Sequence, residues 1–189
     1  MKRSDSLIPT TLYTIGHSNR SFEELIALLR DNGVKALVDV RAVPNSRRHP
    51  HFSSELLRTE INHAGIQYHW AGRQLGGARW PSPTSPHRAL ADDALRGYAD
   101  YMDTQPFQIA AFQLINMAKR TPVIIMCAER LPQRCHRSLI ADYLTLQGLH
   151  VFHLIDGDGK REHQLSPELR RESARLVYDR QTQTTIDLS

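Results

Sequence analysis

The chain has 189 residues, 40% hydrophobic and 23% charged, with two cysteines and a formal net charge of +4. That composition suits one soluble domain with a real core, and two cysteines exclude a disulfide-stapled secreted scaffold. No apolar run approaches the roughly 18 residues that span a bilayer, and the basic start MKRSDSLIPT lacks the apolar stretch of a secretory signal, so no membrane association and a cytoplasmic location are expected.

Thr11 to Ile15 reads as a strand and Gly16-His17-Ser18-Asn19 as the turn leaving it. Ser21 with Glu24 three residues on forms a capping box, and Phe22, Leu25, Ile26, Leu28 and Leu29 follow at helical spacing up to Asn32-Gly33. Val34 to Val40 is the next strand. Strand, helix and strand in so short a span form a βαβ unit, whose crossover is right-handed in nearly all cases. His17 and Asp39-Arg41 are thereby delivered to one rim.

Ala42 to Ser53 carries Pro44 and Pro50, which exclude a long helix, and its basic residues Arg47, Arg48, His49 and His51 suit a binding loop or a solvated surface loop. Ser54 is the expected cap of a helix from Glu55 to His63, closed by Gly65, and Ile66 to Trp70 is a short strand. The Gly- and Pro-rich segment 71–89 is either a lid or an ordinary surface loop. Helices are predicted over Leu90 to Met102 and Phe107 to Lys119.

Pro122 then bounds the apolar run Val123 to Met126, too short for a helix, which reads as a fully buried strand of a parallel sheet. Cys127 stands at its end. Ala128 to Arg134 is a polar loop, and Leu139, Ile140, Tyr143, Leu144 and Leu146 mark a helix closed by Gly148. Val151 to Ile155 is another strand. Ser166-Pro167 reads as the start of a helix running to Val177. The expected organisation is an N-terminal extension over 1–10, one α/β domain over 11–178 and a disordered tail over 179–189. The expected architecture is a mainly parallel sheet of about five strands with helices on both faces.

In such sheets ligands sit outside the carboxyl ends of the strands, and helix N-termini there hold anions. Cys127, Glu129, Arg134, Cys135, His136 and Arg137 fall in that place. A cysteine beside a helix N-terminus and arginines has a stabilised thiolate and can act as a nucleophile, although many buried cysteines are only small hydrophobes. Cys127, Cys135 and His136 match none of the compact zinc spacings, so no metal or cofactor is expected. His17 suits proton transfer, and Glu129 is an alternative acid or base. Asp39, flanked by valines, needs a buried partner, and Arg41 two residues on supplies it, as a structural pair or as one that orients substrate.

Four motifs together resemble the bacterial domain-of-unknown-function family 488: Gly16-His17-Ser18, Asp39-Val40-Arg41 with the Pro44-Asn45-Ser46 loop, Leu75-Gly76-Gly77, and the stretch from Cys127-Ala128-Glu129 to Cys135-His136-Arg137. The likeness runs from about Thr11 to Ser166. It implies that these motif positions form the family's site, Asn45 and Ser46 included, and supplies no activity. The chain also resembles rhodanese sulfurtransferases more distantly. Asp39-Val40-Arg41, Cys127, Arg137-Ser138, Gly148 and the strand from Val151 to Gly157 follow the rhodanese order. Rhodaneses reach their arginine over a shorter loop; here nine residues separate Cys127 from Arg137, which suits a larger anion.

The expected function is therefore an enzyme acting on a phosphate-bearing substrate, a nucleotide or nucleic acid. Arg41, Arg134 and Arg137 would bind the anion beside Asn45, Ser46, Cys135 and His136, with Cys127, His17, Glu129 and Asp39 carrying the chemistry. The alternatives are a rhodanese-like sulfurtransferase with Cys127 as sulfur carrier, and a non-catalytic nucleic-acid-binding module.

Overall fold

A computed structural model describes residues 10–45, 49–155, 159–173 and 175–180. Ser46, Arg47, Arg48, Asp156, Gly157, Asp158, Ala174 and all but residues 10, 179 and 180 of the expected extension over 1–10 and tail over 179–189 lie outside the described residues. Eight strands and six α-helices are described, in the order β1 (Thr11–Gly16), α1 (Phe22–Asp31), β2 (Ala36–Asp39), α2 (Ser54–His63), β3 (Gln67–Trp70), α3 (Gly72–Leu75), α4 (Asp93–Met102), α5 (Gln105–Ala118), β4 (Val123–Cys127), α6 (Arg137–Leu146), β5 (His150–Leu154), β6 (Lys160–Glu162), β7 (Leu169–Glu172) and β8 (Arg175–Tyr178). Short 3₁₀ turns lie at Pro50–Phe52 and Pro132–Arg134.

The central sheet has six strands in the order β3-β2-β4-β1-β5-β6. The first five are parallel, and β6 joins the edge antiparallel to β5. The α/β architecture expected from the sequence is present, with one more strand than the count of about five. The four residues of the apolar run Val123 to Met126 lie between β1 and β2 inside the sheet and are fully buried. A strand covered on both faces cannot alternate polar with apolar, which is why this run is continuous.

Two cores form on the two faces. Leu25, Ile26 and Leu29 of α1 and Leu57 and Ile61 of α2 pack with Ile15, Leu37 and Ile124 on one side. Tyr98 and Met102 of α4, Phe107 and Leu114 of α5, and Leu139, Ile140 and Leu144 of α6 pack with Leu12, Val38 and Ile125 on the other. The Ser21 capping box forms as expected: the Ser21 hydroxyl accepts from the Glu24 N–H, and the Glu24 carboxylate from the Ser21 N–H. Helix α2 starts one residue early, with Ser53 at the cap position and Ser54 inside the helix. Gly148 ends α6 at φ +89°, a conformation that favours glycine.

The sequence reading fails after Ser166. The expected helix is a hairpin, β7 and β8, with Leu169 opposite Tyr178. Tertiary partners decide this: in the hairpin Val177 and Tyr178 are buried, the Tyr178 hydroxyl donates to Asp142 of α6 at 3.0 Å, and Arg175 is held by Asp103 at 2.6 Å. Within segment 71–89, α3 is a helical turn whose Leu75 carbonyl accepts from the buried Tyr98 hydroxyl, and His87 is fully buried against Tyr178. Among the described residues no helix is long and apolar enough to cross a membrane.

Candidate functional site

Strand connectivity puts a crevice between β1 and β4. The chain leaves β1 through α1, on one face, to reach β2; it leaves β4 through α6, on the other face, to reach β5. Two neighbouring parallel strands whose connections part to opposite faces leave a gap beyond their carboxyl ends, where doubly wound sheets take ligands. A cavity of about 570 Å³ occupies it. Its wall includes His17, Ser18 and Asn19 after β1, Cys127 to Arg130 and Arg134 to His136 after β4, His49 from the loop after β2, Gly77 and Ala78, and Asp92 at the start of α4.

The two loops are knitted together by backbone. His17 N–H donates to the Cys127 carbonyl at 2.8 Å and Ser18 N–H to the Ala128 carbonyl at 3.0 Å. Gly16 pairs with Cys127 in the ladder and sits so close to the Glu129 carbonyl that a Cβ there would lie 1.8 Å from its oxygen. The Arg137 guanidinium, 1% exposed, donates to the carbonyls of Glu129 and Arg130 and through Nε to Cys135 Sγ at 3.4 Å. Arg137 therefore holds the loop from behind and does not line the cavity.

Arg41 is also turned inward. Its guanidinium donates to both carboxylate oxygens of Asp39, to the Phe52 carbonyl at 2.8 Å and to His17 Nε2 at 3.3 Å. Asp39 is fully buried and accepts from the Tyr68 hydroxyl as well. The expectation that Arg41 and Arg137 face an anion is thus replaced by two buried guanidiniums holding backbone and side chains, because each is surrounded by carbonyl or carboxylate acceptors that satisfy it. The carboxylate of Asp39 is equally committed and stands behind the cavity wall. Arg134 and Glu129 line the cavity and are exposed. Glu129 Oε1 accepts the Leu131 N–H at 3.1 Å. Asn45 is exposed and outside the cavity lining, and Ser46 lies outside the described residues.

His17 reaches the cavity as a neutral ring. Arginine only donates, so Nε2 carries the lone pair and Nδ1–H donates to the Ser18 carbonyl at 3.0 Å. Burial, and then the Arg41 charge, lower its pKa to about 4. The floor is built from Cys127, Cys135 and His136, whose ligand-type atoms all lie within 4.8 Å of one another. Cys135 and His136 are buried and Cys127 is partly exposed. The Cys127 S–H, with the Arg137 charge beside it, holds Cys135 well below the usual thiol range, while the same hydrogen bond and burial push Cys127 up. Thiolate character is therefore favoured at Cys135 over Cys127, first by the Cys127 S–H and also by the Arg137 Nε–H that reaches Cys135 Sγ.

A second polar cluster escaped the sequence reading. An ionised carboxylate only accepts, so His163 Nε2–H donates to Asp142 Oδ1 at 2.9 Å; His153 Nε2–H then donates to His163 Nδ1 at 2.9 Å, and the Thr14 hydroxyl to His153 Nδ1 at 2.7 Å. Burial above all, with the Arg137 charge nearby, lowers the His153 pKa to about 3. An unfolded histidine protonates near pH 6.5, so folding holds this ring neutral: the stabilisation is complete above pH 6.5 and is lost as pH falls toward 3. Urea unfolding at pH 6.5, 5.5 and 4.5 should show His153→Gln losing about 1.4 kcal/mol per pH unit less stability than the parent. Parallel curves for the two proteins would contradict this.

Residues 21–144 match the family model described as Domain of unknown function DUF488, a span that covers α1 through most of α6 and so most of the cavity wall. No curated protein and no solved structure matches the chain. The chain belongs to the DUF488 family.

Proposed function

We propose that the protein is an enzyme acting on a phosphate-bearing substrate, a nucleotide or a nucleic-acid end, in the cavity between β1 and β4. The observation that carries this reading is the arrangement of Arg130 and Arg134 at the mouth of that cavity, above a floor of two sulfurs and an imidazole. A volume of about 570 Å³ is of the size that takes a small-molecule ligand. The carboxylates in the wall are tied to backbone: Asp92 caps α4 by accepting the Leu95 N–H at 3.0 Å, and Glu129 accepts the Leu131 N–H. Those carboxylates keep their charge, so the reading rests on the two guanidiniums as anion ligands, in a chain of net charge +4. His17 is part of the wall, with Nε2 held by Arg41 and Nδ1–H by the Ser18 carbonyl, and it would need to exchange one of these partners to act on a substrate.

The sulfurtransferase alternative fits the floor less well. A persulfide on Cys127 would stand within 4.8 Å of Cys135. Attack by the Cys135 thiolate on the inner sulfur gives a Cys127–Cys135 disulfide and releases hydrosulfide, which discharges the carrier before transfer.

Calorimetric titration of the protein with inorganic phosphate and with a nucleoside monophosphate tests the reading. Charge-assisted hydrogen bonds contribute about 1.5–3 kcal/mol, so Arg134→Ala should weaken nucleotide affinity by roughly ten- to a hundredfold, and Arg130→Ala with Arg134→Ala further. Affinity should fall with added salt. Binding that is indifferent to both substitutions, or no binding at low salt, would remove the proposal.

A further inference from the structure

We propose that Cys127, Cys135 and His136 form a three-ligand site for a single zinc-class divalent cation, with the fourth position open to the cavity. This goes beyond the anion reading and stands on ligand geometry alone. The three donor atoms converge within 4.8 Å although Cys127 and Cys135 are separated by a seven-residue loop that fits no compact zinc spacing. Cys135 Sγ and His136 Nδ1 are 3.6 Å apart. A thiolate and an imidazole sharing one tetrahedral zinc, at bond lengths of about 2.3 and 2.0–2.1 Å, are separated by about 3.6 Å.

The surroundings are those of a ligand set. His136 Nε2 faces the Val40 carbonyl at 3.2 Å, and a carbonyl only accepts, so Nε2 carries the proton and Nδ1 offers its lone pair toward the sulfurs. A carbonyl holding the far nitrogen is how metal-bound histidines are usually oriented. The Arg137 Nε–H donates to Cys135 Sγ, which keeps that sulfur aimed and lowers the charge of a dithiolate site. Gly77 packs flat on the ring: a Cβ there would lie 2.8 Å from Nδ1. Two thiolates and one imidazole are borderline-soft donors that suit zinc and cobalt(II) and reject magnesium and calcium. Three protein ligands plus an open position is the pattern of catalytic rather than structural zinc, and the open side here is the wall below Arg130 and Arg134.

The test uses untagged, chelator-treated protein. Cobalt(II) is expected to bind one per chain, with sulfur-to-cobalt charge-transfer absorption, and to be displaced by zinc. One equivalent of zinc should protect both thiols from alkylation, read by mass. Cys127→Ser and Cys135→Ser should each weaken binding more than a hundredfold, above the roughly 10–100-fold that loss of an outer partner costs, while Gly77→Ala, which presses on the ring and keeps every ligand, should fall within that range. Should the serine variants fail to fold, the parent's cobalt spectrum and thiol protection decide. Cobalt uptake without charge transfer, uptake unchanged in folded Cys135→Ser, or thiols alkylated equally fast with and without zinc overturns the site. Phosphate titration of the chelated protein runs separately, so loss of the metal site and loss of the anion reading are told apart.

Discussion

Asp39→Ala is expected to cost about 3–5 kcal/mol of stability, the range for removing one partner of a buried ion pair. Asp39 Oδ1 accepts the Arg41 backbone N–H at 3.0 Å and Nε at 2.9 Å; Oδ2 accepts Arg41 Nη2 at 2.6 Å and the Tyr68 hydroxyl at 2.8 Å. Asp39 is fully buried and Arg41 is 5% exposed, so neither charge can turn to water when the other is lost. The penalty is the uncompensated guanidinium rather than the pair's own worth. Asp39→Ala combined with Arg41→Met should therefore be less destabilised than the sum of the two singles. Urea unfolding of the three variants checks this, and an Asp39→Ala cost below about 1 kcal/mol would refute the buried-pair account. Since Arg41 also holds His17 Nε2 and the Phe52 carbonyl, the single variant should loosen the cavity wall as well.

Gly16→Ala should cost about 3 kcal/mol or more, at the upper end of overpacking, because the new methyl meets backbone and not a flexible side-chain end. Its Cβ would lie 1.8 Å from the Glu129 carbonyl oxygen, 2.6 Å from the carbonyl carbon and 2.9 Å from Arg137 Nη2. The loop after β4 must move away, and with it the Arg137 clamp and the approach of Cys135 to Cys127. Stability and the alkylation rates of the two thiols should change together. A variant that unfolds at the parent's urea midpoint with unchanged thiol rates would show that the loop is not locked there.

The elements that local signals specify appear where the sequence put them. The Ser21 capping box, the continuous apolar run of β4 and the closing Gly148 are short-range patterns whose physics is complete within a few residues. Parallel strands were enough to bring the carboxyl ends that carry His17 and Cys127 to one edge, and the two residues share a cavity there. The stretch after Ser166 went the other way: its apolar positions suit a helix about as well as a hairpin, and only Asp142, Asp103 and His87, brought up by other elements, select the hairpin.

The sequence by itself determined the sheet, its two helical faces and the edge where the chemistry-bearing residues gather, because periodicity, caps and crossover handedness are properties of neighbouring residues. Tertiary structure alone decided what those residues do to one another. Arg41 and Arg137 point inward, the Arg137 Nε–H reaches Cys135 rather than Cys127, His136 joins the sulfurs, and Thr14 finds His153 across 139 positions. Burial, tautomer and charge are set by atoms that come near only when the chain is folded, and spacing along the chain carries no record of them.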